Sequence, residues 1–173
     1  MINRRNLLQA TLVGTTLATL PRTGTAGSRT GGTRKYEVMK TVIDAWARGD
    51  VDAVTAHMSD DIVWHYAAGA APPLIGLPAA REFLQKFRGS IAEVRWRIFN
   101  HAAAGNLLFV EGVDEYIGTN GVRAVAPYAG VLAFRDGKIV EWRDYFDRGQ
   151  LEKIRAGEAV PDFVEALIAR PAD

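Results

Sequence analysis

Cysteine is absent from the 173-residue chain, and that one absence excludes disulfides, thiolate metal sites and cysteine nucleophiles. Histidine is scarce: His57, His65 and His101 are the three present, and they never fall at a paired metal-ligand spacing, so no metal site is expected. Strong basic character is missing too. The formal net charge is +1 and no Lys/Arg run occurs, which argues against a dedicated nucleic-acid binder. No apolar run suits a membrane span, since the longest candidate, Leu7 to Leu20, has only 14 residues. No internal repeat is visible, and no low-complexity tract stands outside residues 21–33. What remains is ordinary globular composition, 48% hydrophobic and 24% charged, at a length that suits one domain around one core.

The first 27 residues differ in kind, because they contain no acid. Arg4-Arg5, the apolar run and the small residues around Thr25-Ala26-Gly27 are the charged region, apolar region and exit of an export signal. The adjacent arginines point to the twin-arginine type. The expected product is exported, periplasmic or secreted, with no stable membrane anchor after signal removal. Removal takes Arg4, Arg5 and Arg22 with it, leaving a net charge of −2 and a weaker case still for nucleic acid. "SRTGGTR" (28–34) is expected as a flexible link into a single domain over 35–173.

Within that domain Met39, Val42, Ile43 and Trp46 fall at i, i+3, i+4 and i+7, one face of a helix over 34–48. Gly49 is its stop, and Asp50 caps a short second helix that "SDD" (59–61) ends. "IVWHY" (62–66) reads as a strand, "AAGAAPPLIG" as a loop, and Pro78 opens a third helix carrying Phe83, Leu84 and Phe87. Strands are then expected near 92–103, 107–117, 122–135 and 139–147, joined by the tight turns "AGN", "GTNG" and "RDGK". Helices segregated from an antiparallel meander make an α+β domain. Three N-terminal helices packed on a curved sheet leave a cone-shaped hollow, and "PDFVEALIA" (161–169) is a terminal helix able to close one end.

Alternate residues of a strand share a face. On the last strand Val140, Trp142, Asp144 and Phe146 form one set, apolar except for a single carboxylate. An ionised Asp among rings costs several kcal/mol unless something pairs with it, which makes Asp144 a candidate for function. Leu108, Val110, Gly112, Asp114 and Tyr116 show the same pattern one strand pair away. Two inward acids in one low-dielectric hollow divide the work, one holding a proton and one accepting it. The plainer alternative is that Asp114 is an edge residue and that Trp142 and Phe146 are core. Asp144 is mid-strand, which fits that alternative less well. The second face of the last strand, Glu141, Arg143, Tyr145 and Asp147, reads as solvated. His65 reads as an ordinary surface histidine, and His57 as a cation favoured at a helix end.

"AGVLAFRDGKIVEWRDYFD" (129–147) closely resembles the C-terminal strand pair of limonene-1,2-epoxide hydrolases. More broadly it resembles the SnoaL-like and ketosteroid-isomerase-like members of the nuclear transport factor two superfamily. "DIVWHYAAGAAPPLIG" and "FVEGVDEY" resemble further strands of the same group, so the likeness covers about residues 36–150. It implies a cone of curved sheet closed by helices, no cofactor, and a homodimer formed through the open sheet face, where Leu107, Phe109 and Val113 stand. It also implies roles. Asp144 matches the base that draws a proton from water, and Asp114 the acid that protonates the leaving oxygen of an epoxide.

The matched positions differ from that group in stated ways. The bridging arginine falls on Gly112, for which Arg97 and Arg123 are the candidate replacements. The residues that hold the water fall on Trp64 and Tyr66, and two usually aliphatic pocket positions fall on Tyr116 and Tyr128. The expected ligand is a small apolar cyclic or polyketide-like molecule, lined by these residues together with Trp142 and Phe146. The leading expectation is hydrolysis of an epoxide by Asp-activated water; the alternatives are isomerisation or cyclisation with tyrosines holding an enolate oxygen, and non-catalytic ligand binding.

Overall fold

The helical face expected around Met39 is the buried one: Met39 and Val42 are wholly inaccessible and Trp46 nearly so. In the computed structural model, which describes residues 27–172, this helix (α1) spans Gly27–Ala47. The expected export signal lies, apart from Gly27, outside the described residues. Residues 28–34 are not a loose link but the first turns of α1. Gly32 shows why that end can dock, because a Cβ there would stand 3.1 Å from the Ala103 Cβ of the sheet. Gly49 ends the helix at φ 75°, and the Asp50 carboxylate accepts the Ala53 N–H at 2.9 Å to start α2, Val51–Thr55.

Seven strands follow in one sheet: β1 Met58–His65, β2 Leu74–Ile75, β3 Ile91–Val94, β4 Arg97–Ala104, β5 Leu107–Gly118, β6 Arg123–Arg135 and β7 Lys138–Phe146. The third helix, α3, spans Leu77–Arg88 with a proline in its first turn. The meander β4-β5-β6-β7 is antiparallel throughout, and the "RDGK" hairpin turns on Asp136 and Gly137, both at positive φ. This α+β cone is the architecture expected.

Several details differ from expectation. Ser59-Asp60-Asp61 belong to β1 instead of ending α2, and the loop before α3 contributes β2. β1 pairs with β7 in parallel, so the sheet is not purely antiparallel. The strand expected at 92–103 is two pieces, broken at Arg95-Trp96, both pairing with β5. A helix missed in the sequence, α4 (Arg148–Arg155), follows β7 at once, with Asp147 as its cap instead of a strand residue. Asp147 accepts the Gln150 N–H at 2.9 Å. His57 is no favoured cation, because burial first, and the Lys138 charge second, hold its imidazole below the ordinary value. Among the described residues, no helix is long and apolar enough to cross a membrane.

The main core fills the concave side of the sheet, where α1, α2 and α3 pack. The last helix, α5 (Asp162–Ile168), does not close the cone but lies on the convex side, burying Val164 and Ile168 against Phe99, Val113 and Val125. Val113 is therefore fully covered and cannot serve an open face that meets a second copy. Charge clamps α5 in place. Glu115, 4% exposed, accepts from Arg97 at 2.9 Å and from Arg123 at 2.7 Å. Arg123 reaches on to Glu165 of α5, and Arg97 donates to the Ile168 carbonyl at 3.1 Å.

Removing the carboxylate leaves two half-buried guanidiniums facing each other under α5. Glu115→Ala should lower stability by about 2 kcal/mol in urea denaturation, discounted from a fully buried pair because both arginines keep water. Arg95→Ala should leave the urea midpoint essentially unchanged, since Arg95 is exposed to solvent and 3.9 Å from Glu115.

Candidate active site

Asp144 points into the cone because β7 alternates, and Gly130 opposite it on β6 leaves the room. A Cβ on Gly130 would stand 3.3 Å from the Asp144 carboxylate and 2.9 Å from Val110. Parallel pairing sets Trp64 level with Trp142. Both indoles then donate to the one carboxylate, Trp142 at 2.8 Å and Trp64 at 3.1 Å. The main chain is tied as well, for the Asp144 carbonyl accepts the Ala68 N–H at 2.9 Å.

A cavity of about 370 Å³ opens beneath this carboxylate, within the range of small-molecule sites. All eight residues expected at the site, Asp144, Asp114, Trp64, Tyr66, Tyr116, Tyr128, Trp142 and Phe146, line it. The structure adds Trp96, which sequence reasoning passed over because it sits where one long strand was expected. Between the register pairs Val94–Tyr116 and Arg97–Val113, Trp96 falls opposite Asp114. Its indole donates to the Tyr128 hydroxyl at 2.7 Å and its ring stacks on Trp142. Also missed were Arg148, Leu151, Glu152 and Arg155 of α4, which stand along the cavity. The available signal was the Asp147 cap followed by Leu151 and Ile154 three apart.

The two acids meet different surroundings. Asp114 has no hydrogen-bond donor among the described residues, and burial pushes its carboxyl up to about 6. Burial also pushes Asp144 up to about 7; the indole hydrogen bonds oppose this and the Asp114 charge adds to it. The carboxyls share one cavity and titrate as a pair, both held above the ordinary carboxylate range by burial. Tyr128 lies between them on β6, flanked by Ala126 opposite Asp114 and Gly130 opposite Asp144. Its oxygen accepts from Trp96, so its own proton is free to donate into the cavity.

Neither proposed replacement for the missing arginine reaches the cavity. Arg97 and Arg123 point to the convex face, where both are spent on Glu115. Nor is there room for a side chain at position 112, since a Cβ on Gly112 would stand 2.2 Å from the Arg97 carbonyl oxygen. β4 approaches β5 so closely there that only glycine fits.

A SnoaL-like domain profile matches residues 39–142. The chain belongs to the SnoaL-like family. No curated protein matches it significantly. Among solved structures, this SnoaL-like chain is similar to an LEH-like epoxide hydrolase from M. tuberculosis, at 24% identity and TM-score 0.64, over 80% of this chain and 98% of that one. It is similar also to an NTF2-like protein of unknown function from Burkholderia pseudomallei, at 23% identity and TM-score 0.62, over 73% and 98% of the two chains. A third is a protein with a ketosteroid isomerase-like fold from Catenulispora acidiphila, at 16% identity and TM-score 0.63, over 72% and 98%. These likenesses establish the NTF2-like cone.

Two consequences are measurable. Gly112→Ala should lower stability by about 2 kcal/mol in urea denaturation, because β4 must move to admit one methyl group. At a site with ordinary clearance and φ, the same change would raise it. Asp114 binds its proton more tightly folded than unfolded, so its contribution is fully present below the ordinary value of 3.8 and lost as pH rises through about 6. Asp114→Asn should therefore stabilise the protein by about 3 kcal/mol near pH 8 and by almost nothing below about pH 4, as read by denaturation at the two pH values.

Proposed function

We propose that this SnoaL-like protein is a cofactor-independent acid–base catalyst that moves a proton on carbon in an apolar, ring-bearing carbonyl compound, as an isomerase or cyclase. One observation carries the reading: a carboxylate fixed by two indole N–H groups faces the same aromatic cavity as a tyrosine whose proton is free. Asp144 takes the proton from the carbon next to the substrate carbonyl. The electron pair moves to oxygen, and Tyr128 donates a hydrogen bond to the enolate as charge develops. Asp144 returns the proton to a different carbon, or the enolate carbon attacks a second carbonyl and closes a ring. A base that titrates near 7 loses and regains its proton at little cost at neutral pH. Asp114 is the second acid of the pair and supplies a proton where the product needs one.

A second reading, opening of an epoxide by water, draws on the same pair of carboxyls. It is the weaker because a water would lack holders. The single indole N–H of Trp64 is already given to Asp144, which leaves Tyr66 as its remaining matched partner. No arginine of β4, β5 or β6 enters the cavity to bridge the acids.

The test is hydrogen–deuterium exchange at the α-carbon of unsaturated cyclic ketones, run beside diol formation from alicyclic epoxides. Asp144→Asn should cut exchange by about 10³-fold or more, and Tyr128→Phe by about 10- to 100-fold. The rate should rise with pH through about 7 as Asp144 loses its proton. Diol formation by the wild type would move the assignment to epoxide opening. Exchange that survives in Asp144→Asn, or is missing from the wild type, would remove Asp144 as the carbon base.

A further inference from the structure

Five charged side chains line the cavity, and four are accounted for. Asp114 and Asp144 are the acids at its base. Arg148 and Glu152 satisfy each other at 2.8 Å, and Arg148 also donates to the Ala70 carbonyl at 3.2 Å. Arg155, in the last turn of α4, has no ion pair or hydrogen bond among the described residues. The Tyr116 hydroxyl is in a similar position. It is buried, it has no hydrogen-bond partner, and Tyr116 is only 4% exposed. An unmet buried hydroxyl is left without the hydrogen bond it had in water, and a ligand oxygen placed there supplies one.

Both groups stand at the same place. Tyr116 and Arg155 wall the main cavity and also a second one of about 160 Å³, where they are joined by the polar turn residues Ser90, Thr119 and Asn120. Arg155 is near enough for its charge to act on the Tyr116 hydroxyl, which burial keeps in its protonated, donating form. An exposed arginine at the rim beside a spare O–H donor is suited to an anion that accepts hydrogen bonds.

We propose that Arg155 and the Tyr116 hydroxyl anchor a carboxylate carried by the substrate, whose rings fill the aromatic cavity. The register sets its length. Val110 is level with Asp144 across β6, and Tyr116 lies six residues further along the same face of β5. A molecule that touches both ends is therefore an elongated, multi-ring carboxylic acid, not a small neutral monocycle. The inference rests on the acid–base reading for its view of this ligand as a substrate, but not for the anchor itself.

The anchor is tested by binding of pyrenebutyrate and of its uncharged primary amide, read by pyrene fluorescence anisotropy on the full chain. The wild type should bind the acid about tenfold more tightly than the amide. Arg155→Gln should abolish that preference by weakening the acid alone, and Arg155→Lys should restore part of it. Tyr116→Phe should weaken the acid about threefold and the amide, whose carbonyl oxygen accepts the same O–H less strongly, by less than that. Asp144→Asn should keep the preference while abolishing proton exchange. Equal binding of acid and amide, a preference that survives Arg155→Gln, or no binding of the acid in the millimolar range would each overturn the anchor. An acid preference without proton exchange in the wild type keeps the anchor and removes the acid–base reading. Exchange without the preference does the reverse.

Discussion

Two indole N–H groups converging on the Asp144 carboxylate are the contact on which the cone depends. The Trp64 bond joins β1 to β7, the one parallel pair among the described strands, and the Trp142 bond is made within β7 itself. Without those donors nothing would oppose the rise that burial imposes on the Asp144 carboxyl, and the donors without the carboxylate would be two unmet indoles. The arrangement also limits its neighbours. Gly130 must stay small, and Trp142 is held between Trp64 and Trp96 by ring contacts.

Adjacent residues of β5 show two opposite treatments of a buried acid. Asp114 faces the cavity with no donor among the described residues, and its proton is held near neutrality. Glu115, one residue on, faces the convex side and is enclosed by Arg97 and Arg123. The first arrangement sacrifices stability for a group able to exchange a proton. The second uses charge to fasten α5 on the sheet. Because strand alternation turns these two acids to opposite faces, the arginines that serve Glu115 are unable to serve Asp114. Gly112 closes the other route, since β4 lies against it.

Much of this was legible in the chain. Period-two alternation alone separated Trp142, Asp144 and Phe146 from Glu141, Arg143 and Tyr145, and it aimed Asp114 inward. The hairpin turns and the helical face around Met39 followed from local chemistry. Other features had only weak local signals. Trp96 lay hidden in what reads as one long strand, because the break at Arg95-Trp96 arises from two strands sharing one edge of β5. α4 was masked by Gly149 and by a strand pattern that runs up to its cap.

By itself, then, the sequence determined the α+β class, the inward acids and the aromatic lining, since these depend on periodicity and residue type over a few neighbours. Tertiary structure decided what those acids touch. The parallel β1–β7 pairing sends the Trp64 N–H to Asp144, and strand alternation sends Arg97 and Arg123 to the far face. The turn of α4 leaves Arg155 at the junction of two cavities. Each of these contacts joins residues far apart in the chain, so its partner is set by register and strand order, which local pattern does not encode.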